Sequence, residues 1–176
     1  MAAMPVRPDP EIAPMIAQLT AAGADVGVLF LTDGSGGEEE ITDRTGYAAR
    51  RHEEAVRGLE ILGVTDIEFA DLPDGSLADH IDEASEAIRR ALTARTPDLL
   101  LAISPLEISA DHRAAFAATH GALSTLRGCT DLDAAVDGLR ILLYEANHLA
   151  FPNVLVDVSG QTDLIRRAIE AHASQL

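Results

Sequence analysis

The stretch Ser104-Pro-Leu-Glu-Ile-Ser-Ala-Asp-His-Arg113 sets a carboxylate, Asp111, beside an imidazole, His112. A carboxylate and an imidazole side by side are residue types that a reading of function must explain. The stretch follows the run Asp98-Leu-Leu-Leu-Ala-Ile103, which reads as a buried strand, and leads into an Ala-rich run with helical spacing over Asp111 to Leu126. Asp111 and His112 are therefore expected at a strand-to-helix loop, and loops at the carboxyl ends of parallel strands are where open α/β sheets hold their ligands. Asp111 has a second, purely structural reading as a carboxylate at a helix start, favoured there by free amides and the macrodipole.

A second stretch, Asp33-Gly-Ser-Gly-Gly37, invites comparison with a phosphate cradle. Its glycines match neither G-x-G-x-x-G nor the Walker A spacing, and Glu38-Glu-Glu40 would repel a phosphate. It reads instead as a loop at the carboxyl edge of the sheet.

The elements that must position these residues alternate. Met1 to Pro10 holds three of the eight prolines and reads as irregular coil. Helix is expected over Glu11 to Ala22, with Gly23 as its left-handed cap, and strand over Asp25 to Thr32. Helix follows over Tyr47 to Leu62, with an apolar stripe and Gly63 beyond it. Strand Ile67 to Ala70, turn Leu72 to Ser76 and helix His80 to Arg95, stopped by Pro97, come next. After the helix from Asp111, Gly128 to Gly138 reads as an irregular connection or a short helix. Two further strands are expected, Leu139 to Tyr144 and Val154 to Val158, with His148 in the loop between them. A last helix over Asp163 to Ala173 would be capped by Ser159 or Thr162. Strands alternating with helices predict an α/β fold, a mostly parallel sheet covered on both faces.

Composition bounds what such a fold can serve. With 176 residues, 47% of them hydrophobic, a single domain over 1–176 is expected, residues 1–10 being its irregular segment. A formal charge of −16 argues against nucleic acid and against anionic membranes, leaving a small neutral or weakly charged substrate. The single cysteine, Cys129, excludes a disulfide framework and a multi-cysteine zinc site. Neither a signal peptide nor a membrane-spanning run is apparent, so a cytoplasmic location is expected. A homo-oligomer is left open.

Several segments together resemble one family. Gly27-Val-Leu-Phe-Leu-Thr-Asp-Gly34, Arg51-His-Glu-Glu-Ala-Val-Arg-Gly-Leu-Glu-Ile-Leu-Gly-Val64, Leu72-Pro-Asp-Gly75, Ser104-Pro-Leu with Asp111-His-Arg-Ala-Ala115, and Pro152-Asn-Val-Leu-Val-Asp157 are similar, in order, to the PIG-L (LmbE-like) deacetylases. The resemblance implies a Rossmann-like three-layer sandwich and a zinc-dependent hydrolase. Its substrate would be an amino-sugar conjugate of the N-acetylglucosamine type, from which an acetyl or other acyl group is removed.

The resemblance also implies site residues, and here the sequence departs from the pattern. The family's His-Pro-Asp-Asp-Glu motif is matched by Arg7-Pro-Asp-Pro-Glu11, so the general base is kept as Asp9 while Arg7 and Pro10 stand where two zinc ligands belong. The His-Pro-Asp-His motif is matched by Ser109-Ala-Asp-His112, which keeps His112 as the third zinc ligand and Asp111 beside it. Arg51 and Asp74 fall at substrate-binding positions, although Arg51 also reads as a solvated helix face and Asp74 as a turn former. A catalytic zinc takes three protein ligands and one open position, and neither Arg nor Pro has a lone pair to offer. Asp9, Glu11, Asp33, Asp111 and His148 are the candidate substitutes. His120 reads as a packed or half-exposed histidine roughly sharing the face of His112; His52, His80 and His172 read as surface residues.

The family's first strand also lacks an obvious counterpart. Either Met1 to Val6 fills that slot despite its composition, or the strand is missing from the chain or supplied by a partner. Two functional classes follow: a metal-dependent N-deacetylase, or a relative without catalysis that binds carbohydrate or a partner. A nucleotide-binding domain without hydrolysis is a third.

Overall fold

A computed structural model describes residues 2–4, 12–36, 42–127, 136–147 and 152–175. Five strands form one sheet in the order β3-β2-β1-β4-β5. They are β1 (Ala2–Met4), β2 (Gly27–Thr32), β3 (Asp66–Leu72), β4 (Leu99–Ile103) and β5 (Arg140–Tyr144), and each neighbouring pair is parallel. Among the described residues five α-helices accompany the sheet: α1 (Ala13–Ala21), α2 (Arg44–Ile61), α3 (Ile81–Arg95), α4 (Ala110–Arg127) and α5 (Thr162–Glu170).

Strand β2 shows why both faces must be covered. All six of its residues are buried, and alternate side chains enter different cores. Leu29 and Leu31 join Leu100, Ala102 and the inward stripes of α3 and α4. Val28 and Phe30 join Leu101, Ile16 of α1, Leu59 of α2 and Ala168 of α5. The result is the three-layer α/β sandwich expected from the alternation.

Two expectations are corrected. Ala2–Met4 is a strand and not coil, pairing Ala2 with Val28 on one side and with Leu101 on the other. The gap between β2 and β4 offers unpaired backbone groups along both walls, and filling it outweighs the poor strand propensity of Ala-Ala-Met. Conversely, residues 154–158 form no strand, and Leu155 is 87% exposed. Their β-branched composition finds no partner edge. The Gln18 side-chain amide donates to the Asp157 carbonyl, and Asp157 Oδ1 turns back to accept from the Ser159 amide (3.0 Å) and hydroxyl (2.7 Å), so the segment is diverted over α1.

Smaller differences lie at helix ends. Helix α2 starts at Arg44, earlier than Tyr47, because Asp43 caps it by accepting from the Gly46 amide at 2.9 Å. Neither Ser159 nor Thr162 caps α5; a 3-10 turn over Ser159–Gln161 leads into it, and Gln161 stands at the N-cap without a side-chain bond. The glycine caps are as expected, Gly23 and Gly63 having φ of +81° and +84°.

Close approaches fix the remaining geometry. A Cβ on Gly58 would lie 2.7 Å from His172 Nε2 and 3.2 Å from the Ala168 carbonyl, so glycine sets the spacing of α2 and α5. On β3, the register with β2 shifts between Phe30 and Thr32, where Asp71 adopts φ +54°. This irregularity brings Leu72 opposite Thr32 and aims the following turn at the end of β2.

Candidate active site

The carboxyl ends of the strands carry four loops joined by acidic side chains. After β2, Asp33 Oδ1 accepts from the amides of Ser35 (2.9 Å) and Asp74 (3.2 Å). After β3, Asp74 accepts from the Thr32 hydroxyl (3.1 Å) and the Gly36 amide (3.2 Å). Asp74 is thus the tie between two loops as well as a turn former, with Gly75 beside it at φ +85°.

Asp111 extends the same scheme to the loop after β4. Its Oδ2 accepts from the Gly75 amide at 2.7 Å and its Oδ1 from the Leu77 amide at 3.1 Å. Asp111 lies in the first turn of α4, as expected, but its carboxylate does not cap that helix. The cap is Ser109, whose hydroxyl accepts from the His112 amide at 3.4 Å, leaving the buried Asp111 carboxylate to satisfy two amides of another turn.

His112 is buried in the first turns of α4, and its Nδ1 lies 3.1 Å from Oε2 of Glu107. The Glu107 side chain is fully buried. Its Oε1 accepts from the amides of Ala146 (2.6 Å) and Asn147 (3.1 Å), and its Oε2 from the Asn147 amide (3.2 Å) and side-chain Nδ2 (3.1 Å). Burial pushes the Glu107 carboxyl up, but the bonds from Ala146, Asn147 and His112 outweigh it and hold the group below the usual carboxylate range. The loop itself is pinned: Ser104 Oγ accepts from the Leu106 amide (3.2 Å), and Arg113 donates to the carbonyls of Glu107 (2.9 Å) and Ile108 (2.6 Å).

Glu107 was not singled out by sequence reasoning. It lies between two large apolar residues, so hydropathy predicts Glu107 outside and its neighbours inside. The structure inverts this, exposing Leu106 by 59% and Ile108 by 69%. The available signal was its place in a tight loop five residues before His112, within reach of an imidazole.

The other expected residues are dispersed. Arg51 is buried, not part of a solvated face. It donates to the Tyr47 hydroxyl at 3.4 Å, and the Gln175 amide oxygen, turned toward it, accepts at 2.7 Å; neither partner belongs to the His112 cluster. His172 is buried against α2 and not a surface residue. His52 is half-buried, stacked on Phe69 at 4.0 Å and paired with Asp71 at 3.2 Å, and half-buried His80 pairs with Glu83 at 3.6 Å. His120, expected packed or half-exposed, is exposed, because eight residues carry a helix about 80° past two full turns. Asp9, Glu11 and His148 lie outside the described residues, as do Arg7 and Pro10.

This donor set does not fit a three-ligand metal centre. Among the described residues, no group of three or more His, Cys, Asp or Glu side chains is placed to hold a metal ion. The carboxylates of Asp33, Asp74, Glu107 and Asp111 are engaged by the donors named above, and among the described residues the ring contacts of His112 to Glu107 and Asn147 are both made through Nδ1. No helix among the described residues is long and apolar enough to cross a membrane.

Comparison with known proteins agrees with the architecture. The family model described as PIG-L, GlcNAc-PI de-N-acetylase, matches residues 9–123. The diacetylchitobiose deacetylase of Thermococcus kodakarensis is 34% identical over 170 residues, which span 91% of this chain and 62% of that protein. The chain thus covers less than two thirds of that relative's length. Among solved structures, the N,N'-diacetylchitobiose deacetylase from Pyrococcus horikoshii superposes with a TM-score of 0.85 at 23% identity, covering 99% of this chain and 70% of that one. The conserved protein TT1542 from Thermus thermophilus gives 0.78 at 25% identity, covering 98% and 78% respectively.

Proposed function

The chain belongs to the PIG-L family of GlcNAc-PI de-N-acetylases, and from that membership we propose that it hydrolyses the acetyl amide of an N-acetylglucosamine-type sugar. The observation that supports this most is His112 itself, buried at the carboxyl end of β4 with Nδ1 engaged by Glu107 and Nε2 left over. A related deacetylase of diacetylchitobiose makes a short chito-oligosaccharide the natural substrate to try.

In the proposed reaction a water oxygen adds to the acetyl carbonyl carbon while Asp9 takes the water's proton. The C–N bond then breaks, and the proton passes to the departing nitrogen, giving acetate and a free amino sugar. Arg51 and Asp74 are proposed to serve substrate binding, Asp74 by fixing the loops that border the site. Asp111 and His148 support it, Asp111 through its tie to the Gly75 turn.

Zinc is the proposed cofactor, with His112 as one ligand. A catalytic zinc takes three protein ligands, so the remaining donors in this proposal come from residues outside the described ones, with Glu11 and His148 as candidates. The test is incubation of the purified chain, with added zinc, with N,N'-diacetylchitobiose and with N-acetylglucosamine, following primary amine and acetate together. Stoichiometric release of both, abolished in His112→Ala, is expected. Release of neither from any such sugar would overturn the proposal.

A further inference from the structure

We propose that Glu107 is a positioning residue that locks His112 in the tautomer with hydrogen on Nδ1 and a bare lone pair on Nε2. The inference rests on geometry alone and does not depend on the deacetylase reading.

Two arrangements compete at His112 Nδ1. In one, Nδ1 carries the hydrogen and donates to Glu107 Oε2 at 3.1 Å. In the other, Nδ1 is bare and accepts from Asn147 Nδ2 at 3.4 Å, which puts the hydrogen on Nε2. The neighbours of Glu107 decide between them. Both of its oxygens face N–H donors: Ala146 and Asn147 amides on Oε1, and the Asn147 amide and side chain on Oε2. A carboxyl so surrounded is an acceptor only, an ionised carboxylate. A bare Nδ1 would then set a lone pair against a carboxylate oxygen in a buried place, where unmatched polar contacts cost most. The same carboxylate fixes the Asn147 amide with its nitrogen inward, since the reversed amide would oppose oxygen to oxygen. The shorter, charge-assisted bond prevails and leaves Nε2 as the free donor atom.

The carboxylate also joins two loops. Glu107 follows β4, whereas Ala146 and Asn147 follow β5, so one side chain sets the spacing of both segments and the orientation of the imidazole. Such outer partners of functional histidines fix tautomer and ring orientation together.

The test is the long-range 15N–1H NMR spectrum of the full 18.6 kDa chain, recorded as purified and after chelation, with His112→Gln identifying the His112 signals among the six histidines. Hydrogen on Nδ1 is expected in both samples. In Glu107→Gln the side chain keeps its shape but can offer an N–H to Nδ1, so the tautomer ratio should shift by about tenfold or more toward hydrogen on Nε2. Glu107→Asp should restore part of the original ratio, and Asn147→Ala should leave it unchanged. Hydrogen on Nε2 in the unmodified chain overturns the proposal even if Glu107→Gln fails to fold, and so does an unchanged ratio in a folded Glu107→Gln. Absence of deacetylation would remove the proposed activity and leave this result intact.

Discussion

Asp111 and Gly75, 36 positions apart, are joined by a 2.7 Å bond from the Gly75 amide to the Asp111 carboxylate, and a second bond reaches Leu77. A carboxylate that merely capped its own helix would cost about 1 kcal/mol to remove. Here Asp111→Ala strands two amides at a buried site, so a loss of about 2–4 kcal/mol is expected. Urea unfolding of the variant distinguishes the two, a loss near 1 kcal/mol pointing back to a cap.

Removing the imidazole tests the other end of the same helical turn. His112→Ala is expected to lower the proposed deacetylation by about 100-fold or more in kcat/KM, and Asp9→Asn by a similar factor. Both are read as acetate release from diacetylchitobiose. Variants that retain activity within a few-fold would move the chemistry to other residues.

Acid stability reports on Glu107. Its carboxyl is held low in the folded chain, so its contribution is fully present above the unfolded value of about 4.3 and is lost as pH falls through the lower folded value. Glu107→Gln removes that dependence. Urea midpoints between pH 7 and pH 3 are expected to fall less steeply in the variant than in the unmodified chain. Equal slopes would mean that the carboxyl does not titrate differently on folding.

The α2–α5 spacing makes a packing prediction. Gly58→Ala sets a methyl group 2.7 Å from His172 Nε2 with the Ala168 carbonyl close behind, so about 1–3 kcal/mol of stability should be lost despite the better helix propensity of alanine. Thermal denaturation by circular dichroism measures it. An unchanged or raised Tm would show that α5 slides at no cost.

How much of this was legible in the sequence follows from where the information resides. Strands β2 and β4 declare themselves because each buries both faces and reads as an unbroken apolar run. Gly23 and Gly63 mark helix ends by a local rule. Strand β1 carries no such mark, since Ala-Ala-Met becomes a strand only because two neighbours leave room for it. Val154 to Val158 fails for the opposite reason, having the composition of a strand and no edge to join. At the site, His112 stood out by its chemical type, whereas Glu107 is defined by donors 39 and 40 positions away, a relationship that no local window contains.

Strand β1 gives the sheet a seam. The pairs β2–β3 and β4–β5 are each built from nearby chain segments, and Ala2–Met4 supplies the backbone hydrogen bonds between them. Its partners Val28 and Leu101 lie on opposite sides, so among the described residues Ala2–Met4 carries the hydrogen-bonded continuity of the sheet. Whatever loosens that strand breaks the backbone ladder between β2 and β4, leaving the bonds of Asp111 to Gly75 and Leu77 to hold the loops of the two halves together. Amide exchange along the facing edges of β2 and β4 should therefore rise and fall together, as one cooperative opening.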